Sequence, residues 1–147
     1  MEDGLKMEIR ATTPGPSVLN FFRGVFIGAA AFDGVLGLAF FFLYGPIFQQ
    51  LDIPLPDNTS YIHLTAAFVF VQGVGYWFVY RNPLRNIDLV KVGVVYKVIY
   101  SAVALYYLVI NDLLHAVFAW FAAFDVVFLV LFVAFLAMVK TEVRESH

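Results

Sequence analysis

Asp33, Gln72, Lys97 and Asp125 each sit deep in a long apolar run, in surroundings that do not hydrate them. Asp33 is 11 residues from Tyr44, Gln72 is 11 from Tyr61, Lys97 is 13 from Ile110 and Asp125 is 12 from Leu113. On a helix these separations all come to about 16–20 Å. Unrelated strays would not share one level, so the spacing predicts a single inward-facing cluster. Two carboxylates and one ammonium, fully ionised, leave a net negative charge. Lys97 and Asp125, on consecutive runs, form the expected ion pair. Asp33 is then either protonated or balanced by a bound cation or water, with Gln72 placed to donate to it. Such a group can exchange a proton or hold a cationic or polar solute. The competing expectation is structural: a satisfied ionic cluster that only fixes helix register or pairs with another subunit.

The runs that must position these groups are Val18–Tyr44, Tyr61–Tyr80, Leu89–Ile110 and Leu113–Val139. Each is long enough to cross hydrocarbon, which takes about 20 residues of helix. Hydrophobic residues make up 62% of the chain and charged ones 14%, against about 45–50% and about 25% in soluble domains. The expected fold is all-α: a transmembrane four-helix bundle whose short loops force an up-down-up-down order. Residues 1–16 and 141–147 read as cytoplasmic tails and 17–140 as one membrane domain. Ala29 to Ala31 faintly resemble a signal cleavage site, but the apolar run continues past them, so the first span is expected to be retained.

Lys6, Arg10, Arg23, Arg81, Arg85, Lys91, Lys140 and Arg144 all lie in or beside the tails and the middle loop. The first and third loops carry Asp52, Asp57 and Asp112 instead. The positive-inside rule therefore places both termini and the middle loop in the cytoplasm. Pro46, Pro54 and Pro56 are expected to keep the first loop non-helical, Asn58, Thr59 or Ser60 to cap the second helix, and Asn111 or Asp112 to cap the fourth. Asn82-Pro83 breaks the chain between the second and third. Gly24, Gly28, Ala29 to Ala31, Gly34 and Gly37 on the first helix, with Ala66, Ala67, Gly73 and Gly75 on the second, mark close helix approach. Tyr44, Tyr61 and Tyr107 at one end and Trp77 and Tyr80 at the other read as interfacial anchors.

Helical faces agree with the cluster. Phe118, Phe121, Asp125, Phe128, Phe132 and Phe135 follow steps of three and four, as do Gly93, Lys97, Tyr100, Ala104 and Tyr107. Arg23, Phe26, Ala30, Asp33, Gly37, Phe40 and Tyr44 repeat the pattern on the first helix. Tyr100 joins Asp33, Gln72, Lys97 and Asp125 as a candidate ligand-binding residue.

Other chemistries find less support. His63 and His115 near one end of helices two and four could ligate haem or a pigment, but His63 is about half a turn round the helix from Gln72. No cofactor is expected. Absence of cysteine excludes disulfides and Cys-ligated metals. No Ser-His-Asp order, HExxH or phosphate loop occurs, and Gly73-Val74-Gly75 lacks a third glycine; Lys97 as a Schiff-base lysine is the one enzymatic alternative. Arg23, Arg81, Arg85 and Lys91 form a cationic rim suited to anionic lipid headgroups, whereas no basic stripe points to nucleic acid. Other membrane subunits, or further copies of the chain, are the remaining partners to expect.

The stretch Arg81-Asn82-Pro83-Leu84-Arg85, followed by Gly93, Lys97 and later Phe124-Asp125 with Phe128, resembles small four-helix bacterial membrane proteins of the DoxX-like kind. That resemblance implies a compact bundle in a bacterial inner membrane and transfers no catalytic residue. A non-enzymatic role follows in one of two forms: small-solute or proton-linked binding and translocation, or a structural accessory subunit of a larger membrane complex.

Overall fold

The computed structural model describes residues 14–112 and 115–145, with the surroundings of side chains given as far as residue 139. Four helices account for nearly all of them: α1 Pro16–Gln50, α2 Ser60–Arg81, α3 Ile87–Val109 and α4 Ala116–Glu145. The N-terminal tail up to residue 13 and the expected start of the fourth run at Leu113 lie outside the described residues. All four helices are long and apolar enough to cross a membrane, and no more than 28% of the residues in any of their most apolar windows is buried. Large side chains such as Phe42, Phe68 and Trp120 point outward, at 71%, 70% and 67% exposure. Water would not tolerate that surface and acyl chains would, because a soluble monomer rarely exposes apolar patches of more than a few hundred Å².

The helices associate as two close pairs, α1 with α2 and α3 with α4, that lean on each other more lightly. Glycine sets the first pairing. A Cβ on Gly37 would stand 2.6 Å from the Phe70 nitrogen and 2.8 Å from the Ala66 oxygen. One on Gly73 would stand 2.6 Å from the Gly34 nitrogen and 3.0 Å from the Ala30 oxygen. The two backbones therefore touch, and small residues allow dispersion contacts where lipid offers no hydrophobic drive. Gly24 and Gly75 meet nothing within 4 Å, so only part of the small-residue stripe serves this interface. Between the pairs the packing is aromatic: Phe26 meets Phe132 and Phe135 at 5.1 and 5.2 Å, and Phe22 meets Phe135 at 5.3 Å.

Helix ends depart from expectation in two places. Pro46 does not stop α1; the helix bends at Leu43 (φ −121°, ψ 16°) and runs on to Gln50. Proline removes one backbone donor and crowds the preceding turn, which kinks a helix that tertiary contacts still hold together. Buried Phe48, in the added segment, and buried Ile53 just after it supply those contacts. Asn111 does not cap α4 but closes α3. With φ of 60° it adopts the left-handed form, its N–H bonding the Leu108 carbonyl at 3.2 Å while the Asp112 N–H bonds the Tyr107 carbonyl at 2.9 Å. Asp52 (φ 52°) ends α1 in the same way. The α4 start is capped by His115, whose Nδ1 accepts the Val117 N–H at 3.1 Å. Asn58 does serve α2, accepting the Ser60 N–H at 3.0 Å, and Asn82 does follow the last residue of α2.

The glycine contacts make a direct prediction. Gly37→Ala and Gly73→Ala should each cost about 1–3 kcal/mol through backbone overpacking, read by SDS-driven unfolding in mixed micelles, whereas Gly24→Ala and Gly75→Ala should not destabilise.

Candidate functional site

Asp33 on α1, Lys97 on α3 and Asp125 on α4 meet at mid-span, as their depths predict. Lys97 Nζ donates to Asp125 Oδ1 at 2.5 Å and to Asp33 Oδ2 at 3.3 Å. All three are buried, at 2%, 0% and 4% exposure for Asp33, Lys97 and Asp125. A lone charge at mid-bilayer costs at least about 2.5–3.5 kcal/mol on insertion scales, and these contacts offset that cost. The ammonium therefore serves both acids, and Asp33 is not left unpaired as the sequence suggested.

Rings complete the surroundings of Lys97. Its Nζ lies 5.2 Å from the centroid of Tyr76, 5.6 Å from that of Tyr96 and 5.3 Å from that of Phe128. The faces of aromatic rings are negative and attract a desolvated cation. Tyr76 reaches this position because α3 carries Gly93 opposite it: a Cβ there would come within 2.6 Å of the Tyr76 ring. The Tyr76 ring also meets Phe132 edge-on at 5.0 Å. Its hydroxyl is buried without a hydrogen-bond partner, as is Ser101 Oγ one turn beyond Lys97.

Gln72 is the correction. It is half-buried and makes no hydrogen bond to Asp33. Gly73 must face α1 for the backbones to touch, and its neighbour, about 100° round the helix, turns away from the acids. Helix α2 contributes Tyr76 instead, three residues from Gly73 and on the same face. Level along the helix was legible in the sequence; direction round it was not. The signal available was Gly93, a small residue on the Lys97 seam that needs a large partner.

Above the carboxylates lies a cavity of about 250 Å³ between all four helices. Asp33 and Asp125 both line it and Lys97 does not. Its walls include Phe32, Phe40, Phe118 and Phe121, together with Tyr96 and the expected Tyr100, the two tyrosines stacked at 6.4 Å. Tyr61, Ile62 and Phe48 surround the end of the cavity towards the Asp52, Asp57 and Asp112 loops. Tyr96 was not among the expected site residues, because aromatic rows in such a chain read first as packing.

The histidines lie elsewhere. His63 Nδ1 is 3.1 Å from the Thr59 carbonyl and its ring packs on Phe41 and Tyr44, while His115 is spent on the α4 cap. Among the described residues no three His, Cys, Asp or Glu side chains are grouped to hold a metal. At the opposite end, the Arg23 guanidinium donates to the Tyr80 and Arg81 carbonyls at 3.0 and 3.1 Å, closing the C-terminus of α2 where a cation is favoured by the helix dipole. Lys91 pairs with Asp88 at 2.7 Å and Arg81 stacks over Trp77 at 5.2 Å.

Removing the shared ammonium leaves two buried acids facing each other, so Lys97→Met should cost about 3–5 kcal/mol in the same unfolding assay. Gln72→Leu should change stability little. The chain matches no protein-family model, no curated protein and no solved structure.

Proposed function

We propose that this chain is a multi-pass membrane protein whose mid-bilayer cluster binds a small solute, or a proton linked to one, and passes it between the cavity and one face of the membrane. One observation carries the reading: two carboxylates sharing a single ammonium line a cavity that water-sized molecules can occupy. A cluster serving only register would be better packed over than left facing open space, since unfilled volume in a core is itself destabilising.

The helices run up-down-up-down, with both termini and the Arg81–Lys91 loop in the cytoplasm. Contacts between helices support this order: Arg23, Ala30 and Gly37 on α1 meet Tyr80, Gly73 and Ala66 on α2, in reverse sequence. Gly93 and Lys97 on α3 likewise meet Phe132 and Asp125 on α4. The segregated charges give the orientation, and a bacterial inner membrane is the compartment that the DoxX-like resemblance implies. Exposed Arg81, Arg85 and Lys91 then meet anionic headgroups, with Arg23 held back by the α2 carbonyls. Four helices make a narrow path, so translocation requires an oligomer or a rocking of one helix pair against the other.

Two measurements test this. The native chain lacks cysteine, so in intact cells an impermeant maleimide should label Asp57→Cys and reach Arg85→Cys only after permeabilisation. The pH dependence of thermal stability in mild detergent should be largely abolished in Asp33→Asn. If Asp33→Asn keeps the native pH profile, and the purified protein arrives in fixed ratio with larger membrane subunits, the accessory role replaces the binding role.

A further inference from the structure

The cavity also carries information about the charge of what it holds, and this step rests on the binding reading above. Asp33 and Asp125 line the cavity, while Lys97 is wholly buried and does not. A ligand approaching the floor therefore meets carboxylate oxygen and not ammonium. The walls are predominantly aromatic, and ring faces favour cations. Residues 51–59 and 110–112, the connections at the Tyr61 end of the cavity, carry Asp52, Asp57 and Asp112 and neither lysine nor arginine. Charge of one sign at a mouth concentrates counter-ions there. Floor, walls and approach all disfavour an anion.

Charge balance narrows the class further. The titratable and charged groups facing the floor are Asp33 from α1, Tyr76 from α2, Lys97, Tyr96 and Tyr100 from α3, and Asp125 from α4. With both acids ionised and Lys97 charged, the set lacks one positive charge, which either a proton or a monocation supplies. A bare metal ion is a poor fit, because hard cations take about six to eight oxygen ligands and most of the lining is hydrocarbon. At about 250 Å³ the space falls below the range of about 300–1,000 Å³ usual for drug-sized ligands.

We propose that the cavity binds a small organic monocation, a protonated amine or quaternary ammonium with an apolar body. Its charged head rests against Asp33 and Asp125 and its body against Phe40, Phe118 and Phe121. The cation and a proton neutralise the same pair, so each excludes the other, and binding one releases the other.

Benzyltrimethylammonium and its uncharged isostere neopentylbenzene, with phenylacetate as the anionic control, test the assignment on the purified full-length protein in mild detergent. Calorimetry should show saturable binding of the cation that weakens by up to about tenfold per pH unit on acidification, the limit for exchange of one proton. A pH indicator in weakly buffered solution should report protons released on its addition. The isostere should bind more weakly and without pH dependence, and Asp33→Asn should weaken cation binding at least tenfold while retaining the isostere. Equal binding of cation and isostere, without proton release, overturns the cation assignment and leaves the solute-binding reading standing, as does preferential binding of phenylacetate. Failure of all three probes, with the Asp33→Asn pH profile unchanged, removes both readings. Should Asp33→Asn not fold, the comparison of cation with isostere on the native protein decides alone.

Discussion

One ammonium shared between two carboxylates is the constraint from which the rest of the molecule follows. Lys97 cannot remain charged at mid-span without Asp125 at 2.5 Å and Asp33 at 3.3 Å, and neither acid can be stranded there alone. Those contacts tie α1, α3 and α4 to one level. The aromatic face of Tyr76 over the ammonium brings α2 into the same arrangement. The burial of charge is costly, so alternative registers that separate the three groups are strongly disfavoured. Specificity of assembly comes from these contacts.

The glycine seam of α1 and α2 has a different task. Direct backbone contact at Gly37 and Gly73 consumes no side-chain volume, so α2 lies close against α1 within one turn of Asp33, which shares the Gly37 seam. Helix α4 answers with its own row, from Phe118 to Phe135. Where the rows interlock, around Phe26, Phe132 and Phe135, the core is closed. Towards the acidic loops the rings still meet but at wider spacing, Phe40 lying 6.2 and 6.3 Å from Phe118 and Phe121, and the cavity lies beside them.

Much of this was legible in the sequence, and the failures have definite causes. Length and hydropathy gave the four helices, and depth along each run brought Asp33, Lys97 and Asp125 together, because hydrocarbon thickness sets a common ruler. Gln72 failed the same test since a ruler carries no azimuth, and the backbone contact at Gly73 fixed α2 in the rotation that favours Tyr76. Pro46 has the signature of a stop and acts as a bend: a missing N–H weakens one turn, and the packing of Phe48 outweighs that loss. The Asn111 side chain suits a cap on the helix after it, but its tolerance of the left-handed backbone, which ends the helix before it, decides its place. The cavity itself left no trace in composition, since the phenylalanines that border it look like those that fill the core.

The bend at Leu43 divides α1 into two rods with separate anchors. The longer one is locked to α2 through glycine and carries the acid; the shorter one, from Tyr44 to Gln50, holds Phe48 over the cavity. The acid and the phenylalanine at the far end of the cavity are thus aimed by two differently directed stretches of a single helix, and the angle between them sets where the space ends.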